Sequence, residues 1–184
     1  MTEDNTLART LHDAGLAAWF GGSLMGAIGL NGAAAEVDDA RQRARVANAG
    51  WARWTPVNLS AIGAHLVGSA VLTWANKGRL AGQSGVAGVA TMKTGVTLAA
   101  LATTGYARIL GQKVMNAGDV PVEGGTSPSA ATPPDVAGAQ RKLNGLQWAI
   151  VGLTGALLAL NARMGEQQRP QEVTRGVLRR VLGG

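Results

Sequence analysis

Three side chains in this sequence have the types and spacing to move protons or hold an ion inside an apolar setting: Asp13, His65 and Lys93. Lys93 sits in an otherwise apolar stretch, Gly88 to Leu110, that ends near Arg108. A lysine there has two readings. Lys93 and Arg108 are fifteen residues apart, about 22 Å along a helix axis. Each cation can reach outward along its aliphatic stem, so the pair then marks the two faces of a hydrocarbon layer, and this is the simpler reading. In the sharper reading Lys93 turns inward with Thr97, Ala100 and Thr104 and pairs with Asp13 across a bundle, which makes it a functional candidate.

His65 shares a helical stripe with Asn58, Ser69 and Asn76. The simpler role is a neutral imidazole hydrogen-bonded to a neighbouring helix; the alternative is a proton relay or a cofactor ligand. Bis-histidine haem through His12 and His65 is excluded on depth. If the segment ending at Trp74 lies level with His12, His65 is about 15 Å deeper, at 1.5 Å per residue. His, Asp and Glu show no zinc-ligand spacing, so no metal and no cofactor is expected. The Gly-rich run before Lys93-Thr94 lacks P-loop glycines, which would fall at Ala87 and Met92; Gly82, Gly85 and Gly88 do not make a dinucleotide fingerprint. No Ser-His-Asp arrangement is suggested, and the chain is read as non-enzymatic.

The elements that must position these residues are visible in the charge pattern. No charged residue occurs between Asp13 and Glu36, between Arg53 and Lys77, or between Lys142 and Arg163. Each interval is about 20 residues or slightly more, enough for a helix to cross some 30 Å of hydrocarbon. A water-exposed helix would carry a charged face. With the stretch holding Lys93, this predicts an all-α fold, an antiparallel bundle of four transmembrane helices. The spans are about 11–35, 55–75, 87–110 and 143–162, after a polar segment 1–10. Residues 116–137, rich in Pro, Gly, Ser and Thr, read as a disordered loop. Residues 163–184 read as a basic tail, with Val173, Val177 and Val181 opposite Arg175, Arg179 and Arg180, that is, an amphipathic helix for an anionic lipid surface.

Local signals refine this picture. Thr55 and Pro56 suggest an N-cap and first helical residue after a break at Gly50. Trp51, Trp54, Trp74, Tyr106 and Trp148 fall where headgroups would lie, and Trp19 is deeper. An Ala-x-Ala site precedes Glu36, but Glu3 and Asp4 are wrong for the start of a signal peptide, so cleavage is not expected. The spelling Asn58-Leu59-Ser60 lies inside an apolar span and carries no glycosylation meaning.

Small residues recur at helical spacing: Gly22 and Gly26, then Ser60, Ala64 and Gly68, then Gly152 with Ala156. Such faces let helices approach closely, within a bundle, in a homo-oligomer, or against a larger membrane complex. Gln147, Thr154 and Asn161, with Asn144 a turn before the first, form an interior polar stripe. The net charge of +6 lies in short clusters flanking the spans, so the partner read from it is the lipid bilayer and not nucleic acid. Flanking cations are equal on the two sides, and the basic tail places the termini in the cytoplasm. The chain has no cysteine, which removes disulfides and thiolate metal sites.

The segments "LHDAGLAAWFGGSLMGAIGLNGAAAEV", "GWARWTPVN" and "NKGRLAGQ" resemble small, uncharacterised integral membrane proteins of actinobacteria, over roughly residues 11 to 113. The resemblance implies a plasma-membrane location and no particular activity. The opening is also similar to other bacterial four-span families that begin with a histidine and a Trp-x-Gly-Gly turn, and those four residues transfer neither copper transport nor oxygenase chemistry. The function expected is a structural or accessory membrane component, with carriage of protons or a small solute by intramembrane polar residues as the alternative.

Overall fold

A computed structural model describes residues 3–78 and 86–166. Residues 79–85, and the part of the expected tail helix beyond Glu166, lie outside the described residues. The chain is mostly helical. Helix α1 (Glu3–Met25) runs through a single π-helical turn (Gly26–Leu30) into a short α2 (Asn31–Ala35); α3 spans Ala40–Ala75, α4 Val86–Asn116 and α5 Pro134–Glu166. Two of these, α3 and α5, are long and apolar enough to cross a membrane.

The start of α3 is set by Asp39, whose carboxylate accepts from the Arg41 and Gln42 backbone N–H groups at 2.8 and 3.4 Å. These are donors with no partner inside the helix, and the Arg41 bond holds the Asp39 carboxyl below its ordinary pKa. This corrects the expected start at Thr55–Pro56 and the expected break at Gly50. The helix continues through both, and the Thr55 hydroxyl donates to the Trp51 carbonyl at 2.8 Å. Residues before Leu11 are likewise helical from Glu3 onward.

The expectation of disorder over 116–137 is also corrected. Val122–Gly124 and Ser127–Pro128, here β1 and β2, pair antiparallel. Val122 is fully buried, and Gln140 of α5 donates to the Gly124 and Gly125 carbonyls. Ser129 and Thr132 both donate to the Pro121 carbonyl. Polar composition hid a loop whose carbonyls find partners and whose Val122 finds a core.

The helices pack as two hairpins. α1 lies along α3 and α4 along α5; α1 also meets α5, whereas α3 and α4 barely touch. Leu16, Trp19, Ile62, Ala100, Ile150 and Leu157 form the central core. A second cluster, Val114, Val136, Ala139 and Leu143, joins α4 to α5 near the β-hairpin.

Candidate functional site

The approach of α1 to α3 is made by glycine. A Cβ added at Gly15 would stand 2.6 Å from the His65 backbone nitrogen, and one at Gly68 would stand 2.6 Å from that of His12. Real Cβ atoms do not approach backbone so closely, so each helix presses its backbone onto the other where the partner has no side chain. This register brings His12 and His65 to one level, with ring centroids 4.5 Å apart. The expected 15 Å offset is therefore wrong. It took Trp74 as level with His12, but α1 begins at Glu3, nine residues earlier, so Gly68 is what faces His12. Haem shared by the two histidines is still excluded, for a different reason: rings in direct contact leave no room for a porphyrin between them. Among the described residues no three His, Cys, Asp or Glu side chains are grouped to hold a metal.

Three ionisable groups are joined in series. Lys93 Nζ lies 2.6 Å from His12 Nε2, and His12 Nδ1 lies 2.6 Å from Asp13 Oδ1. An ammonium only donates, so Nε2 accepts from Lys93 and Nδ1–H donates to the carboxylate. Lys93 thus turns inward, and the snorkelling reading does not describe it. Its expected partner, Asp13, is reached through His12 and not directly. His65 is completely buried behind this series; its Nδ1–H donates to the His12 carbonyl at 3.0 Å. Its Nε2 is enclosed with no polar partner among the described residues, beside the fully buried Trp19 ring at 6.4 Å.

The series faces a cavity of about 520 Å³ between α3 and α4, near the end where α1 begins. Arg9, His12, Asp13 and Lys93 supply its charged wall; Leu98 and Leu158 are among its apolar lining. Asn161 of α5 also lines it, and both amide atoms of that side chain are buried without a partner among the described residues. A second cavity of about 450 Å³ lies along the same seam toward the β-hairpin, and Leu101 lines both.

The other candidate residues divide between inside and outside. Gly22 and Gly26 lie under the rings of Trp54 and Trp51, so those indoles pack on α1. Gly68 meets α1 backbone, as above. Ser60 is exposed and donates to its own helix at Pro56 O, Ala64 is half-buried, and Gly152 faces open space. Of the α5 stripe, Gln147 accepts from Asn31 Nδ2 at 2.7 Å, and Asn31 Oδ1 accepts from Trp51 Nε1 at 3.0 Å, a buried link across three elements. Thr154 instead donates to Ile150 of its own helix, and Asn144 is exposed. Trp74, Tyr106 and Trp148 are exposed, with the Lys77 ammonium 4.3 Å over the Trp74 ring.

His12 is the residue that sequence reasoning passed over. Its signal was adjacency to Asp13, which becomes informative only once the α1–α3 register is known. Protein families, curated proteins and solved structures were each compared with the chain, and none matches.

Proposed function

We propose that the chain is a four-span protein of the plasma membrane that carries protons, with or without a small solute, through Asp13, His12 and Lys93. The membrane reading is supported by an inverted polarity. Leu59, Ile109 and Leu98 are 70%, 68% and 61% exposed, whereas His65 and Thr154 are wholly buried. In water the first set would be hidden and the second solvated; in lipid the arrangement is the economical one. α1 and α4 are diluted by Gly, Ala and Thr and pass through the layer as part of the bundle. The termini lie on the cytoplasmic side and the β-hairpin on the outer side. The likeness of residues 11 to 113 to small actinobacterial membrane proteins belongs to the same proposal.

The observation that carries the proton reading is the series itself, three ionisable side chains linked through one imidazole at the wall of a cavity. When Lys93 leaves Nε2, that nitrogen takes a proton from the cavity and the Nδ1 proton passes to Asp13. One proton enters at Nε2 and one leaves to Asp13; the neutral imidazole is left as the Nε2–H tautomer, and that proton must move back to Nδ1, by ring rotation or exchange with water, before Lys93 can return. The cavity lies on the seam where α3 and α4 barely touch, so water can reach the series there. The test is proton entry into vesicles holding a trapped pH dye. Wild-type protein should equilibrate an acid step faster than empty vesicles, and Lys93→Gln or His12→Gln should return the rate to that of empty vesicles. A wild-type rate equal to that of empty vesicles would remove proton carriage.

A second reading, a structural or accessory component packing with itself or a larger complex, is favoured by the outer face of α5. There Gly145 and Gly152 face open space beside exposed Ala149, Ala156 and Trp148. Crosslinking in membranes followed by gentle solubilisation tests it; a monomer without partners would end it.

A further inference from the structure

The second cavity has a polar inventory that the proton reading does not use. α4 has five threonines, and four of them, Thr91, Thr94, Thr97 and Thr103, donate to carbonyls one turn back. Thr104 does not. Its hydroxyl is buried without a partner among the described residues, and so is Trp54 Nε1 on the facing helix; both residues line this cavity. Arg108, one turn further along α4, lines it too and is exposed. Among the described residues the Arg108 guanidinium has only the Met115 thioether, at 3.8 Å, a weak acceptor, and it forms no ion pair with a carboxylate there. The lining also holds an acceptor, Asn58 Oδ1, buried without a partner among the described residues, and further polar side chains such as Ser23 and Gln147; Ile62, Leu101 and Ile150 form its apolar part.

We infer that this cavity is a binding site for an anionic membrane lipid, with its acidic head on Arg108, Trp54 and Thr104 and a hydrocarbon chain running inward past Ile62 to Leu101. A guanidinium and two N–H or O–H donors without acceptors complement an oxyanion. A free small anion would leave the apolar part of the cavity unfilled, whereas a lipid fills both parts and enters sideways, because α3 and α4 barely touch. Arg108 lies at the depth where a span meets headgroups. The inference rests on the membrane-spanning reading and is independent of proton carriage.

The test is native mass spectrometry of detergent-solubilised protein titrated with phosphatidylglycerol or phosphatidylcholine of matched chains. Phosphatidylglycerol should be retained more strongly. Arg108→Gln should weaken its retention about 5-fold, the effect of one interfacial cation, and Thr104→Val should weaken it further. Arg163→Gln, an interfacial arginine elsewhere, should leave it unchanged. Equal retention of the two lipids by wild-type protein, or no change in Arg108→Gln, overturns the inference. Displacement by inorganic phosphate at millimolar concentration overturns the assignment to a lipid. Recovery of the protein in the soluble fraction without detergent would instead remove the membrane reading beneath it.

Discussion

The α1–α3 contact and the α3–α4 seam share one helix and are built on opposite principles. Along the first, Gly15 and Gly68 bring backbones together, and Trp51 and Trp54 fill the space above Gly26 and Gly22. Along the second, the helices hold apart around two cavities, and polar atoms are left without partners among the described residues. Order on one face of α3 supports openness on the other. The closed face fixes His12 against His65, and only then does His12 present Nε2 to Lys93 across the open one.

The largest expected effect breaks the closed face. In Gly68→Val the new side chain meets the Ala8 carbonyl and His12 nitrogen, which are backbone atoms that cannot swing away. The helices must separate, at a cost of about 3 kcal/mol or more. Thermal unfolding in detergent followed by circular dichroism should show a large drop in midpoint or no folded protein. A midpoint like that of wild type would mean that α1 and α3 do not meet at this register, and the His12–His65 contact would go with it.

A smaller effect is expected where the closed face reaches α5. Gln147→Leu leaves Asn31 Nδ2 buried without its acceptor and should cost about 1–2 kcal/mol. Replacing Asn31 and Gln147 together by leucine should recover part of that loss, although the Trp51 N–H then loses its acceptor. If the double variant is no more stable than the single, the 2.7 Å contact contributes nothing specific.

These positions also show what the linear sequence discloses. The uncharged intervals announce the helices because each runs for several turns without a charged face. Register is a different matter, since it depends on where α1 begins. Glu3 and Asp4 look like a solvated tail although the helix already includes them. Helix starts were hidden in the same way: Asp39 does the capping, and Thr55–Pro56 imitates a start inside a helix that has none there. Lys93 had two self-consistent orientations with one sequence, and only the presence of His12 on the neighbouring helix decides between them. The orphan hydroxyl of Thr104 is not legible at all, because its four sister threonines on α4 have identical local options and take them.

Gly152 offers a milder probe of the outer surface. Among the described residues nothing lies within 4 Å of a Cβ added there, so Gly152→Ala should raise stability by about 0.5–1 kcal/mol through helix propensity alone. If α5 packs on a partner through this face, crosslinking should fall in the same variant even as unfolding moves upward. Crosslinking unchanged in Gly152→Ala and Gly152→Leu would detach the accessory reading from this face.

The smallest effect concerns the β-hairpin end of the seam, where the hairpin that contributes Gly125 and Thr126 to the second cavity is tied down. Asp119 pairs with Arg45 of α3, and Lys113 of α4 lies 3.3 Å from Asp135 of α5. Each cation holds its carboxylate below the ordinary pKa, chiefly through the hydrogen bond it donates. A carboxyl depressed in the folded state stabilises that state fully above its unfolded pKa. The contribution fades as pH falls through the depressed folded value, where both states become protonated. The midpoint should therefore hold steady from neutral pH to about 5 and decline below about 4. The decline should be shallow, because all four side chains are substantially exposed and salt screens them. Asp119→Asn should flatten part of it. Burial of Val122 does not titrate, so the hairpin itself should stay in place, and hydrogen exchange at Val122 that accelerates on acidification would show that the ion pairs, and not packing, close that end of the seam.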